Sequence, residues 1–279
     1  MVDRQKFAQQ VSFIKNKYNL SHYEVLQRFI FERFLERISV SKFKNNFILK
    51  GGLLLSIVFG IDNRTTRDID ASILGLNVNE LELTQIIKEI CLIDISDQVI
   101  LKIISYENIR DNDKYGGIRY HLLGIYNDLK IYFEVDISTG DVITYSQLDF
   151  KLNSLFENKV IYLNTYNTET IFAEKLETIL RRGAFNSRMK DFYDIYIILN
   201  KLKNDTDNNL IKKAIINTFK NRESLSYLKD YKIILDGLKY NEKIIYLWNK
   251  YCNNYRYAKE INFLNIIDDT ETFLNKLLL

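Results

Sequence analysis

Asp68-Ile69-Asp70 is the sharpest chemical signal in the chain. On a strand, residues i and i+2 share a face. Two such carboxylates stand about 7 Å apart along the strand and repel unless a cation lies between them. Hard oxygen donors on one face suit Mg2+, which takes few carboxylates and adds substrate phosphates. Sixteen positions before Asp68 the chain reads Lys50-Gly51-Gly52, after the short apolar run Phe47-Ile48-Leu49. Two glycines between a strand and a helix let the backbone approach a ligand closely. The N–H groups at the helix start would face a phosphate. Further on, Ile131, Phe133, Val135 and Ile137 alternate with Tyr132, Glu134 and Asp136. A carboxylate from this second strand could complete a two-metal site, with ions roughly 3.5–4 Å apart that activate a hydroxyl and stabilise leaving pyrophosphate. Glu134 and Asp136 share that face, so spacing leaves the choice between them open.

A fourth cluster lies in a region of helical period. It comprises Glu174-Lys175-Leu176, Arg181-Arg182, Arg188 and Lys190-Asp191-Phe192-Tyr193-Asp194. Lys175 and Arg182 are two turns apart, hence on one face that could hold a triphosphate. Asp191 and Asp194 also share a face. A more basic stretch follows, with Lys212, Lys213, Lys220, Arg222, Lys229, Lys232 and Lys239. Tyr227, Tyr231 and Tyr240 interleave with it and could stack on bases of RNA.

Composition narrows the chemistry. With two histidines, His22 and His121, a Ser-His-Asp or Cys-His mechanism is excluded as the leading reading, as is a histidine-rich metal site. Cys91 and Cys252 form no C-x-x-C motif, so neither a disulfide framework nor a zinc knuckle is expected. The net charge of +3 announces no nucleic-acid binder, so any such surface must be local. A content of 47% hydrophobic and 27% charged residues fits a globular chain, and 279 residues suggest two packed units. The start Met1-Val2-Asp3-Arg4-Gln5-Lys6 is charged and lacks a secretory apolar stretch. No apolar run approaches the roughly 20 residues that span a bilayer, so the expectation is a cytoplasmic protein without membrane contact.

Positioning these residues requires a change of period along the chain. Residues 1–45 read as helices, with Ser21 and Glu24 as a capping box. Val25, Leu26, Phe29, Ile30, Phe34, Leu35 and Ile38 make an apolar face, and Arg28, Glu32, Arg33, Glu36 and Arg37 read as a solvated one. Strands are expected at 66–74, 99–104, 118–125 and 129–137, and helices at 53–59 and 79–92. Helical period dominates from about 167, with a polar loop at Asn204 to Asn209. The class is α+β, a mixed sheet with helices and a helical C-terminal domain.

The four blocks taken in order resemble a known family. Gly51-Gly52, Asp68-x-Asp70 and a later strand carboxylate resemble the DNA polymerase β-like nucleotidyltransferase superfamily. More narrowly, Leu49-Lys50-Gly51-Gly52, Arg64-x-Thr66-x-Asp68-Ile69-Asp70, Glu174-Lys175-Leu176 and Lys190-Asp191-x-Tyr193-Asp194 are similar to the AbiEii/AbiGii toxin family, which includes MenT-like toxins. The resemblance implies N-terminal helices over 1–45, a nucleotidyltransferase core over 46–165 and a helical domain over 166–279. It implies the toxin of a toxin–antitoxin or abortive phage infection system, with a cognate antitoxin. It further implies Mg2+-dependent transfer from an NTP, either GTP or a pyrimidine NTP, to RNA at the tRNA 3′ acceptor end. Asp68, Asp70 and Asp136 would hold metal. Lys50, Gly51, Gly52, Thr66, Lys175 and Arg182 would bind nucleotide, with Lys175 and Asp191 counted as catalytic. Thr66 stands where relatives often carry serine, and keeps the hydroxyl. Two other readings remain: modification of a protein or small molecule by the same core, and a non-catalytic GTP- or RNA-binding module.

Overall fold

The computed structural model describes residues 4–76, 78–109, 116–140, 143–144, 146–202 and 207–278. Helix α1 (Arg4–Tyr18) is followed by α2 (His22–Val40). The capping box forms: the Glu24 amide donates to Ser21 Oγ at 3.2 Å, and the Ser21 amide donates to Glu24 Oε2 at 2.8 Å. Strand β1 (Phe47–Lys50) runs straight into α3 (Gly51–Phe59), and β2 (Asp68–Ile73) and α4 (Glu80–Leu92, capped by Asn79) come next. Three long strands follow, β3 (Val99–Ile109), β4 (Gly117–Tyr126) and β5 (Leu129–Thr139), and then β6 (Ser146–Asn153) and β7 (Val160–Tyr166). They form one seven-stranded sheet in the order β3-β4-β5-β2-β1-β7-β6. β3, β4 and β5 are an antiparallel meander, β2 is parallel to β5 and antiparallel to β1, and β1 is parallel to β7. The α+β class with a mixed sheet and flanking helices therefore holds.

Differences from the sequence reading have local causes. β2 starts at Asp68, so Thr66 sits in the turn before it. β3 continues to Ile109 past a bulge between Ile103 and Ser105. β7 escaped notice because Val160 and Tyr162, on its outer side, are apolar despite being exposed, which blurs the two-residue period.

The odd-numbered residues of β5, Ile131, Phe133, Val135 and Ile137, are buried, and Phe31 and Phe34 of α2 meet Phe133 with ring centroids 6.0 and 5.9 Å apart. Gly124 on β4 lets α2 come this close, because a Cβ there would stand 2.7 Å from Ile30 Cδ1. The charged side of α2, expected to be solvated, is buried instead at Arg28, Glu32, Arg33 and Arg37. Arg28 pairs with Glu32 on the same helix, and the other three charges find partners from distant segments. Arg37 binds both oxygens of Asp97 at 2.8 and 2.9 Å and donates to Val99 O at 2.8 Å. Arg33 reaches Glu157 at 2.8 Å. Glu32 pairs with Arg28 at 3.1 Å and accepts from Ser154 Oγ at 2.7 Å and the Leu155 amide at 3.2 Å. Periodicity cannot foresee this, since the partners lie 60 or more positions away along the chain.

The chain divides into two compact units, Met1–Asp141 with Ser146–Thr165 and Tyr166–Leu279 with Val142–Tyr145. The second unit is helical: α5 (Thr168–Arg182), α6 (Met189–Leu202), α7 (Asn208–Asn221), α8 (Leu225–Lys229), α9 (Tyr231–Lys239), α10 (Glu242–Asn254) and α11 (Phe263–Leu278). Phe172 against Phe273 and Phe192 against Phe263 join its core, with ring centroids 5.5 and 5.2 Å apart. Of the loop expected at Asn204 to Asn209, residues 204–206 lie outside the described residues, while Asn208 and Asn209 open α7. Among the described residues no helix is long and apolar enough to cross a membrane.

Glu32→Ala would leave Arg28 and two donors without their acceptor in a buried place. We expect a loss of about 3–5 kcal/mol of stability, read by urea unfolding followed by circular dichroism. A loss below about 1 kcal/mol would show that the cluster is solvated in solution.

Candidate active site

Strands β2 and β5 lie in register, with Asp68 beside Glu134, Asp70 beside Asp136 and Ser72 beside Ser138. Partners across a sheet share a face, so pairing brings together acids 66 positions apart in the chain. β1 sets Lys50 opposite Asp70, and β4 sets Arg119 opposite Asp136. A row Lys50–Asp70–Asp136–Arg119 thus crosses four strands, with two acids inside and a cation at each end. One carboxylate oxygen from each of Asp68, Asp70 and Asp136 lies within 4.8 Å of the others. Glu134 stands beside this trio and is engaged by Arg119 and His121, each at 3.4 Å.

Three hard oxygens on a half-exposed sheet face match the donors that Mg2+ takes, with room for water and phosphate oxygens. Like charges this close strongly oppose one another, and a divalent cation is the simplest relief. The donor set therefore fits the ion.

The glycine turn is built around the same acids. Gly51 has φ +65, and a Cβ on it would overlap the Asp70 carboxylate. A Cβ on Gly52 would lie 2.8 Å from Thr66 Oγ1. The Gly52 amide donates to Asp70 Oδ2 at 3.4 Å, and Thr66 Oγ1 donates to Asp68 Oδ1 at 2.5 Å. Lys50 precedes α3 without capping it by side chain, and the Asp70 carboxylate lies at the positive end of the helix instead. The Lys50 ammonium is buried and donates to Ser138 Oγ at 2.6 Å, and Ser138 lies 3.1 Å from Ser72 Oγ.

Arg119 was not among the residues that the sequence suggested. Its Nε and Nη2 donate to the two oxygens of Asp136, both at 2.7 Å. That hydrogen bonding, with the charges of Asp136, Glu134 and Asp68, holds its guanidinium above its already high ordinary pKa. Ser72 and Ser138 could have been found, since each falls two residues after an acid on the same strand face. Arg119 carries no such signal, because only the pairing of β4 with β5 puts it there.

In the second unit, Lys175 of α5 is held by two acids of α6. Its ammonium lies 2.6 Å from Asp191 Oδ1 and 3.0 Å from Asp194 Oδ2, and both aspartates are buried. Arg188 adds a contact at 3.1 Å to Asp191 Oδ2. Arg182 ends the same helix as Lys175 and is exposed. The basic stretch beyond loses two of its cations and one of its interleaved tyrosines to packing. Arg222 pairs with Glu177 at 2.7 Å and Glu174 at 3.2 Å. Lys239 pairs with Asp268 at 2.8 Å and Glu271 at 3.0 Å, which raises its pKa. Tyr231 is buried and donates to Asn275 at 2.7 Å.

The nucleotidyl transferase AbiEii toxin family, of type IV toxin–antitoxin systems, matches residues 33–269 of this chain. Among solved structures, JHP933 from Helicobacter pylori is similar at 15% identity and a TM-score of 0.52, over 92% of this chain and 93% of that one. A second H. pylori protein, described as a candidate nucleotidyltransferase, aligns at 16% identity and a TM-score of 0.47, over 92% of this chain and 99% of that one. No curated protein matches significantly.

Gly51→Ala puts a side chain where the Asp70 carboxylate stands, in a left-handed backbone region. We expect a stability loss of about 1–3 kcal/mol. Gly116→Ala, with open space around its Cβ, is the control and should change stability by less than about 0.5 kcal/mol. Equal unfolding midpoints for the two variants would contradict the tight fit at Gly51.

Proposed function

The chain belongs to the AbiEii nucleotidyl transferase toxin family of type IV toxin–antitoxin systems, and from that premise we propose Mg2+-dependent transfer of a nucleotide from an NTP to RNA, at the acceptor end of tRNA. The observation that carries this reading is the convergence of Asp68, Asp70 and Asp136 beside the Gly51-Gly52 turn. Transfer of this kind needs positioning and charge neutralisation more than proton shuttling, which suits a chain with two histidines. Bound Mg2+ would supply the positive charge that favours ionisation of the acceptor hydroxyl and departure of pyrophosphate.

The chain's own residues do the rest. Asp68, Asp70 and Asp136 hold the ion, and Thr66 orients Asp68 through its hydroxyl. The amides at the start of α3 face the phosphates with positive charge, while the buried Lys50 adds its charge to the row of acids. In the second unit, Lys175 and Arg182 are the cations we propose for nucleotide contact. Asp191 and Asp194 fix where the Lys175 ammonium stands. An antitoxin is the partner that the family implies.

The test is incubation of the purified protein with each α-labelled NTP, Mg2+ and total tRNA. We expect label in tRNA from one preferred NTP. Asp68→Ala should lower transfer by about 10²–10³-fold or more at an unchanged unfolding midpoint. Label found only in protein or in small molecules would replace the acceptor, and full transfer by Asp68→Ala would end the assignment. Lys175→Ala leaves the buried Asp191 and Asp194 without their cation, so we expect a stability loss of about 3–5 kcal/mol, read by urea unfolding.

A further inference from the structure

The third carboxylate of the metal site already has a cation on it. Arg119 grips Asp136 with two parallel hydrogen bonds of 2.7 Å, and its Nη1 stands 3.4 Å from Glu134. A forked pair of this kind fixes the carboxylate plane and takes up the oxygen lone pairs on the arginine side. Any other cation at Asp136 must use what remains or displace the fork. At the far end of the same row, Lys50 is the cross-strand partner of Asp70.

This arrangement answers an electrostatic problem. Asp68, Asp70 and Asp136 bring ligand oxygens within 4.8 Å of one another. Without a counter-charge such a trio would spread apart. Arg119 supplies a fixed positive charge on one side and Lys50 another. With Glu134 counted, the four acids and two cations carry a formal charge of −2, which attracts a divalent ion less than the −4 of the acids alone would.

We propose that Arg119 is a positioning residue that serves as a built-in counter-cation for Asp136, keeping the acids assembled before a divalent ion arrives and weakening that ion's hold. The inference rests on the metal-site reading of Asp68, Asp70 and Asp136 given above. Its consequence is coupling. The charge that lowers affinity for a bare ion favours an ion that arrives with an anionic triphosphate. Metal and nucleotide then bind better together than apart.

Mn2+ binding, read by electron paramagnetic resonance of the free ion, tests this without turnover. Arg119→Met and Arg119→Gln remove the charge, and Gln keeps a donor. Arg119→Lys keeps the charge and loses the fork. With the fold checked by circular dichroism, both neutral variants should bind Mn2+ about tenfold more tightly than the unaltered protein. Arg119→Lys should stay within about threefold of it. Should Arg119→Met fail to fold, Arg119→Gln decides. Unchanged or weaker binding in the folded neutral variants overturns the role of Arg119 while leaving the metal site in place. If the unaltered protein binds no Mn2+ that Asp70→Asn abolishes, the metal-site reading falls and this inference falls with it.

Discussion

Mutual repulsion among Asp68, Asp70 and Asp136 is the constraint around which the first unit is organised. Left to themselves, three carboxylates within 4.8 Å would separate. The sheet prevents this by hydrogen-bonding β2 to β5 in register, so that Asp70 and Asp136 are neighbours by backbone geometry. The energy comes from the opposite face. There Ile131, Phe133, Val135 and Ile137 are buried beneath α2, at roughly 1.5–3 kcal/mol for each large apolar side chain. A slip of one residue would turn that apolar row outward and the acids inward, so burial enforces the register that assembles the site.

What the sequence made legible follows from this division. Asp68-x-Asp70 and the alternation from Ile131 to Ile137 are local, and they predict shared faces correctly because a strand has a fixed period. Gly51-Gly52 was legible as a close approach, although the nearest group turns out to be the Asp70 carboxylate of the same chain. Arg119 was not legible, because its meaning comes from pairing with a strand whose register no local signal sets. The charged side of α2 was misread for the same reason. Arg33 and Arg37 have the spacing of a solvated face, yet Glu157 and Asp97 come from far along the chain to bury them.

The second unit repeats the pattern with the signs reversed. Lys175, between Asp191 and Asp194, is a cation fixed by buried acids, where the first unit holds acids between fixed cations. A lysine on a free helix face samples many rotamers and loses that freedom on binding an anion. Two buried carboxylates impose most of that loss during folding instead. The same economy removes Arg222 and Lys239 from the basic stretch, since their charges hold helices together. Counting basic residues in this unit therefore overstates the charge available to a nucleic acid.

Preorganisation of this kind explains why a chain poor in histidine can still host transfer chemistry. A site built on general acid–base catalysis needs a group that titrates near neutral pH. A site built on fixed charge needs groups that hold their charge across that range, and aspartate, lysine and arginine do so. Its demands fall on geometry: the Thr66 hydroxyl on Asp68, the missing Cβ at Gly51 and the guanidinium fork on Asp136 each constrain where an acid can stand. Conservative changes at Thr66 and Gly51 should therefore perturb the first unit more than the loss of either histidine, because orientation rather than proton affinity is what the fold supplies there.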